Sequence, residues 1–175
     1  MFEGRKVLRV EDKGKGRDKV VEEVCLKVVD SEILRASAVL VRILAECVYQ
    51  PTDEMIDAIL TQHYNHPRAV LVALCASGQC VAVAGIRHSG DGSAQLMHIA
   101  VAPASRGRGF GRMLVDRLIR EQGLREVMAE TDAGAVGFYL RCGFTIESLG
   151  EKYPRTERFL CRWRSPNPED WLGTS

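Results

Sequence analysis

The stretch ASRGRGFGRMLVDRLIREQG, residues 104–123, constrains this chain more than any other. Glycines at positions 107, 109 and 111 open the backbone, arginines fill most of the gaps, and apolar residues at helical spacing follow at once. The first N–H groups of a helix have no partner within the helix, and the helix dipole favours an anion there. We therefore expect a loop and helix N-terminus that bind a phosphate group.

Comparison with known phosphate-binding patterns limits the classes of ligand that this loop can bind. The chain has no GxxxxGK[ST] run, and its alternate glycines do not fit GxGxxG, since position 112 is Arg. The pattern that fits is R-x-x-G-x-G, formed by Arg106, Gly109 and Gly111. A glycine-rich turn without a ligand is the alternative, but an apolar strand before the loop and a helix after it favour the ligand.

Charge and hydropathy exclude several classes of protein. The 24 basic and 23 acidic side chains nearly cancel, so we expect neither nucleic acid nor a membrane as partner. The longest apolar run, AVLVALCAS at 69–77, is too short to cross a bilayer, and the N-terminus lacks an apolar signal region. We therefore expect a cytoplasmic protein.

The cysteines and histidines do not form a metal-binding pattern. The six cysteines include no CxxC, and no Cys/His set has zinc-like spacing, so we expect reduced core cysteines and no metal. His63 and His66 stand at i and i+3 near a predicted helix end, and we expect them at the surface.

The chain is predicted to form one domain over residues 22–164, with a charged extension at 1–21 and a polar tail at 165–175. Residues 7–10, VLRV, could form a hairpin with the strand that follows. The predicted elements are a strand at 24–29, a helix from Asp30 or Ser31 to before Pro51, a helix from 52 or 53, strands at 69–77, 80–88 and 94–101, a helix after the glycines, a strand at 126–131, a helix at 132–142, and strands at 144–150 and 158–163. Hairpins mixed with helical crossovers predict a mixed α/β sheet.

A second motif, DAGAVGFYLRCGF at 132–144, joins the glycine loop in a recognisable pair. Together with IAVAPASRGRGFGRMLVDRL at 99–118, it resembles the GNAT superfamily of N-acetyltransferases. Asp132, Ala135, Tyr139, Gly143 and Phe144 keep the spacing N-x-x-A-x-x-x-Y-x-x-x-G-F, with Asp in place of Asn. The resemblance implies a mixed central sheet with a splayed pair of strands, flanked by about four helices.

The resemblance also implies acetyl-CoA as cosubstrate. Strand backbone would pair with the pantetheine arm, the glycine loop would wrap the pyrophosphate, and the later helix would line the path of the acetyl group. The residues implied are Ile99, Ala100, Val101, Arg106, Gly107, Arg108, Gly109, Phe110, Gly111, Arg112, Asp132, Ala135, Phe138 and Tyr139.

By the same resemblance, Tyr139 is the general acid that protonates the departing CoA thiolate. A phenol holds its proton at neutral pH, which suits that role, and a core aromatic is the alternative. The family often places a base at the positions that are Gln95 and Met97 here, and neither can act as one. His98, Glu130 or a chain of waters are the alternatives. Strand alternation points His98 away from the face of Met97 unless the strand bulges.

The predicted function is acetyl transfer from acetyl-CoA to a primary amine, by direct attack in a ternary complex. We expect a small-molecule acceptor; the alternatives are a protein N-terminus or lysine, or a non-catalytic acetyl-CoA sensor. The stretch EKYPRTER at 151–158 either flanks the acceptor pocket or forms a solvated hairpin. Relatives often pair through late strands, so we expect a homodimer through RFLCRW, with Phe159, Leu160 and Trp163.

Overall fold

The computed structural model describes residues 23–167, and these residues form one seven-stranded mixed sheet with helices on both faces. The predicted hairpin partner at 7–10 lies outside the described residues. The strands are β1 (Val24–Val29), β2 (Ala69–Ala76), β3 (Gln79–Gly90), β4 (Ser93–Val101), β5 (Glu126–Asp132), β6 (Thr145–Tyr153) and β7 (Thr156–Arg164).

Five α-helices and one 3-10 turn at Pro103–Ser105 connect the strands. The helices are α1 (Ser31–Ala36), α2 (Ala38–Ala45), α3 (Asp53–Tyr64), α4 (Phe110–Glu121) and α5 (Ala133–Arg141). One helix was predicted between Asp30 or Ser31 and Pro51, but the structure has two helices there, α1 and α2. Ser37 leaves the helical conformation and its hydroxyl caps α2, which is where serine is favoured over a helix interior. Because α2 ends at Ala45, Cys47 lies in the loop that follows.

The sheet order is β1-β2-β3-β4-β5-β7-β6, and every neighbouring pair except β4 and β5 is antiparallel. The parallel pair is joined only between Ser93–Gln95 and Glu126–Met128. Both strands continue beyond that point, to Val101 and Asp132, without pairing with each other. This confirms the predicted splayed pair within a mixed sheet.

Each face of the sheet carries its own apolar core. One core joins the sheet to α4 and α5, with Leu114 and Leu118 fully buried, and the other joins it to α1, α2 and α3, with Leu34, Leu44 and Leu60 fully buried. The core thus holds the sheet rigid from both sides and leaves the gap between β4 and β5 as an opening.

A β-bulge interrupts β4 next to this opening. Gly85 of β3 lies opposite His98, but the next pair is Ile86 with Leu96, so Met97 is an extra residue on β4. A bulge shifts the alternation of side chains between the two faces, and it therefore changes which residues of β4 reach each side of the sheet.

Two predictions about side chains in the sheet need correction or qualification. Cys75 and Cys80 were expected to be reduced, but they form a disulfide across the β2–β3 hairpin, with Cα atoms 3.9 Å apart. The tight turn after Cys75 brings the two residues opposite each other, which the apolar runs alone do not reveal.

The homodimer was expected to form through RFLCRW, which lies in β7. In the described part of the chain β7 pairs with a strand on each side, and β6 forms the edge of the sheet at this end. Self-association itself stays a prediction.

Candidate active site

A cavity of about 1120 Å³ opens where β4 and β5 diverge. Its walls come from the end of β4, the glycine loop and start of α4, the end of β5 with α5, and the loop after α2. All three predicted catalytic residues, Tyr139, His98 and Glu130, line it. The predicted cofactor residues line it as well, except Arg108, whose guanidinium carbon lies 4.9 Å from the ring centroid of Phe110.

The glycine loop presents open backbone to this cavity. Gly107 and Gly109 have φ angles of +76° and +82°, the left-handed region that favours glycine. A Cβ atom at either position would meet no atom of residues 23–167 within 4 Å, so this part of the chain leaves open space at both glycines. Gly109 is the N-cap of α4 and supplies no side chain to the first N–H groups of the helix. These groups are therefore available to an anion.

Arg106 is engaged with two partners at the cavity mouth. Its Nε donates to the carbonyl oxygen of Val101 at 3.2 Å, and its Nη2 donates to the Glu46 carboxylate at 2.5 Å. Glu46 follows α2 and lines the cavity together with Cys47 to Tyr49. We had not predicted this loop as part of the site, because its sequence carries no motif.

Tyr139 is a buried aromatic residue of the core that also lines the cavity. Its ring is 5% exposed and packs edge-on against Phe138 and Phe144, with ring centroids 5.2 and 5.3 Å away. Burial raises the pKa of its phenol above the ordinary value, with neighbouring cysteines adding to the rise. The phenol therefore keeps its proton at neutral pH.

His98 points to the α3 side of the sheet because of the bulge. Its Nδ1 lies 2.7 Å from the hydroxyl oxygen of Tyr64, and its ring centroid lies 5.6 Å from that of His63. Burial, with a smaller contribution from His63, lowers the pKa of His98 to about 4. The imidazole is therefore neutral at physiological pH. His63, expected at the surface, is half-buried, and its Nδ1 is buried with no hydrogen-bond partner among the described residues.

Gly85 makes the contact between Tyr64 and His98 feasible. A Cβ atom at Gly85 would lie 1.8 Å from the hydroxyl oxygen of Tyr64, so any side chain there would expel the phenol. The signal in the sequence is a glycine inside the apolar strand CVAVAGIRH, a position that often marks close approach of another group. Tyr64 itself carries no signal of this kind.

Glu130, the other candidate base, stands on the opposite wall near the end of β5. Its carboxylate forms an ion pair with Nζ of Lys152, at 2.9 Å. Lys152 belongs to β6, in the stretch expected either to flank the acceptor pocket or to be solvated. Arg158 from the same stretch lines the cavity, whereas residues 151–155 are exposed.

We expect the lowered pKa of His98 to appear as acid sensitivity of the fold. In the unfolded chain a histidine titrates near 6.5, so between pH 6.5 and about 4 the unfolded state binds more protons than the folded state. Stability should therefore fall as the pH drops through this window, by at most about 1.4 kcal/mol per unit of pKa difference. Urea unfolding of wild type and His98→Gln at pH 7 and pH 4.5 measures the effect. The free energy of unfolding of wild type, minus that of the variant, should be smaller at pH 4.5 than at pH 7. An equal difference at both pH values would contradict this prediction.

The family of the chain follows from comparison with known proteins. Residues 38–144 match the model of the acetyltransferase (GNAT) family, a span that includes the glycine loop and the helix of Tyr139. The chain belongs to this family. A search of curated proteins finds no match to the sequence.

Solved structures share the fold. A GNAT-family acetyltransferase from Desulfovibrio desulfuricans is 25% identical, with a TM-score of 0.63 over 81% of this chain and 98% of that chain. The ribosomal-protein-S18-alanine N-acetyltransferase of Escherichia coli is 22% identical, with a TM-score of 0.64 over 81% and 93%. The dodecameric spermidine N-acetyltransferase of Vibrio cholerae is 17% identical, with a TM-score of 0.61 over 81% and 93%.

Three further observations concern partners and ligands. Within residues 23–167, no helix has both the length and the apolar character needed to cross a membrane. In the same part of the chain, no group of three or more His, Cys, Asp or Glu side chains is arranged to hold a metal ion. A related fold, PaiA N-acetyltransferase from Thermoplasma acidophilum, was solved in complex with coenzyme A.

Proposed function

We propose that this protein transfers an acetyl group from acetyl-CoA to the nitrogen of a primary amine, by direct attack in a ternary complex. The observation that carries the proposal is the cavity between β4 and β5, which is lined both by the glycine loop before α4 and by Tyr139. Membership of the GNAT family supports acyl transfer as the class of reaction.

Acetyl-CoA fits this cavity from the loop inward. The pyrophosphate would meet the N–H groups at the start of α4. Beyond Gln95 no strand of the described residues pairs with the edge of β4 that faces β5, so the backbone at Ile99 to Val101 can pair with the amides of the pantetheine arm. Ala135 and Phe138 line the cavity beside this path. The thioester would then reach the region of Tyr139.

The reaction needs one proton removed and one supplied. The free amine attacks the thioester carbon, and the C–S bond breaks as the tetrahedral intermediate collapses. Tyr139, whose phenol holds its proton at neutral pH, gives that proton to the sulfur as the C–S bond breaks, and the phenolate then takes a proton back from solvent water. No covalent enzyme intermediate is required: burial raises the pKa of the Cys142 thiol to about 11, which keeps it protonated.

We propose His98 as the residue that receives the amine proton, directly or through water. A neutral imidazole can accept at Nε2 when its Nδ1 carries the hydrogen, and the Tyr64 oxygen at 2.7 Å can accept that hydrogen. Glu130 is less suited because its carboxylate is engaged in the ion pair with Lys152 at 2.9 Å, a contact that the amine would have to displace. Tyr64 would thus orient His98 for this step.

A small-molecule amine is the acceptor that we propose. The fold neighbours include both kinds of enzyme: one is named for spermidine and another for the alanine of a ribosomal protein. A panel of mono-, di- and polyamines, amino acids and peptides with free N-termini, read by thiol release and product mass, tests the proposal. We expect acetyl-CoA-dependent thiol release with at least one small amine, and the Gly109→Asp variant serves as the inactive control. A protein that binds acetyl-CoA by calorimetry but acetylates no member of the panel would contradict the enzyme and favour a sensor.

A further inference from the structure

Two helix ends of opposite polarity line the cavity, the C-terminal end of α2 and the N-terminal end of α4. The C-terminus of α2, which ends at Ala45, carries partial negative charge, and Glu46 adds a carboxylate as the C-cap residue. The N-terminus of α4 carries partial positive charge and is preceded by the arginine-bearing glycine loop. An acidic side chain is unfavourable at a helix C-terminus unless a cation lies beside it. Glu46 therefore needs a positive partner.

Arg106, in the loop before α4, is that partner: its side chain reaches Glu46 at the end of α2. Its guanidinium binds Glu46 at 2.5 Å and the Val101 carbonyl at 3.2 Å. The two charged side chains are 54% and 34% exposed, so the pair lies at the open edge of the cavity, where it can be displaced.

We propose that the ion pair of Glu46 and Arg106 is a latch that acetyl-CoA opens, and that the released Glu46 carboxylate then binds the cationic amine. This inference rests on the proposed function and adds to it the order of binding and a residue that selects a charged acceptor. The pyrophosphate competes for the guanidinium of Arg106, and the pantetheine arm competes for the Val101 carbonyl. Both contacts that hold the latch are therefore exchanged for contacts with acetyl-CoA.

The other carboxylates at the cavity have partners that acetyl-CoA does not compete for. The cavity lining in the described part of the chain includes three of them, Glu46, Glu130 and Asp132. Glu130 pairs with Lys152, and Asp132 caps α5 by accepting from the backbone N–H of Gly134 at 2.9 Å. Glu46 alone among these three loses its counter-ion when the pyrophosphate binds. An ammonium group can then replace Arg106 at the end of α2, so the amine binds after acetyl-CoA.

A double-mutant cycle on CoA binding tests the latch. Calorimetry with CoA on Glu46→Gln should show tighter binding than wild type, by about two- to fivefold, because an exposed ion pair of modest strength no longer holds Arg106. Arg106→Met should weaken CoA binding, and adding Glu46→Gln to it should change nothing further. Glu32→Gln, which removes a carboxylate on α1 outside the cavity lining, should bind CoA like wild type.

Two outcomes would overturn the latch. Unchanged CoA affinity in Glu46→Gln would show that the pair does not oppose binding. Equal tightening with and without Arg106 would show general charge repulsion and no latch. A wild type that does not bind CoA at all would contradict the proposed function instead, so the two failures are distinguishable.

Steady-state kinetics test the second half of the inference. With the amine that the panel identifies and saturating acetyl-CoA, Glu46→Gln should raise KM for the amine about tenfold while kcat changes little, because a charge-assisted contact is lost in binding. Glu46→Asp, which keeps the charge, should recover part of the loss. An unchanged KM in Glu46→Gln would remove Glu46 from acceptor recognition.

Discussion

Replacing Gly109 with aspartate should abolish measurable acetyl-CoA binding while the protein stays folded. Gly109 is the N-cap of α4, and a Cβ atom there would have no atom of the described residues within 4 Å. The carboxylate would stand where the pyrophosphate is proposed to lie, so it would both fill the site and repel the ligand. We expect an affinity loss of more than about 100-fold, equivalent to about 2.7 kcal/mol.

Gly109→Asn is the matched control for this experiment. Asparagine has nearly the same shape as aspartate, and both residues tolerate the positive φ of +82° better than other non-glycine residues. The Asn variant should therefore share the steric and backbone effects but bind more tightly than the Asp variant. Calorimetry with acetyl-CoA, together with melting temperatures of both variants, gives the comparison. Unchanged affinity in a folded Gly109→Asp protein would show that the phosphate lies elsewhere.

Replacing Tyr139 with phenylalanine should lower kcat roughly 10- to 100-fold with little change in KM for acetyl-CoA. General acids contribute about 10²–10⁴-fold in enzymes, and a thiolate is a good leaving group that needs less help than most. The substitution keeps the ring, which packs against Phe138 and Phe144, and removes only the hydroxyl. The measurement is kcat with the amine substrate found in the panel.

Stability separates the catalytic role of Tyr139 from a structural one. Within the described residues no hydrogen-bond partner of the Tyr139 hydroxyl is found, so its removal should alter the melting temperature little. A structural tyrosine would instead lose stability and activity together. If Tyr139→Phe kept the wild-type kcat across the pH range, Tyr139 would not be the general acid. If its activity fell only where the variant unfolds, the role of Tyr139 would be in packing alone.

The sequence alone predicts the elements whose cause is local. The glycines at 107 and 109 adopt the positive φ angles for which glycine is suited, and α4 begins directly after them. Asp132 caps α5, as an acidic side chain before an apolar helical repeat predicts. Both motifs act through neighbours only a few residues away, so their spacing is enough to carry the resemblance to the family, and it is this resemblance that implies the splayed strands.

The tertiary structure decides everything that depends on distant partners. Met97 forms the bulge only because β4 must register with β3, and that register turns His98 toward Tyr64 across 34 residues of chain. Glu46 meets Arg106 from 60 residues away, at the end of a helix that Ser37 had shortened. No local pattern encodes such pairs, because strand register and helix packing arise from the sum of many contacts across the whole core.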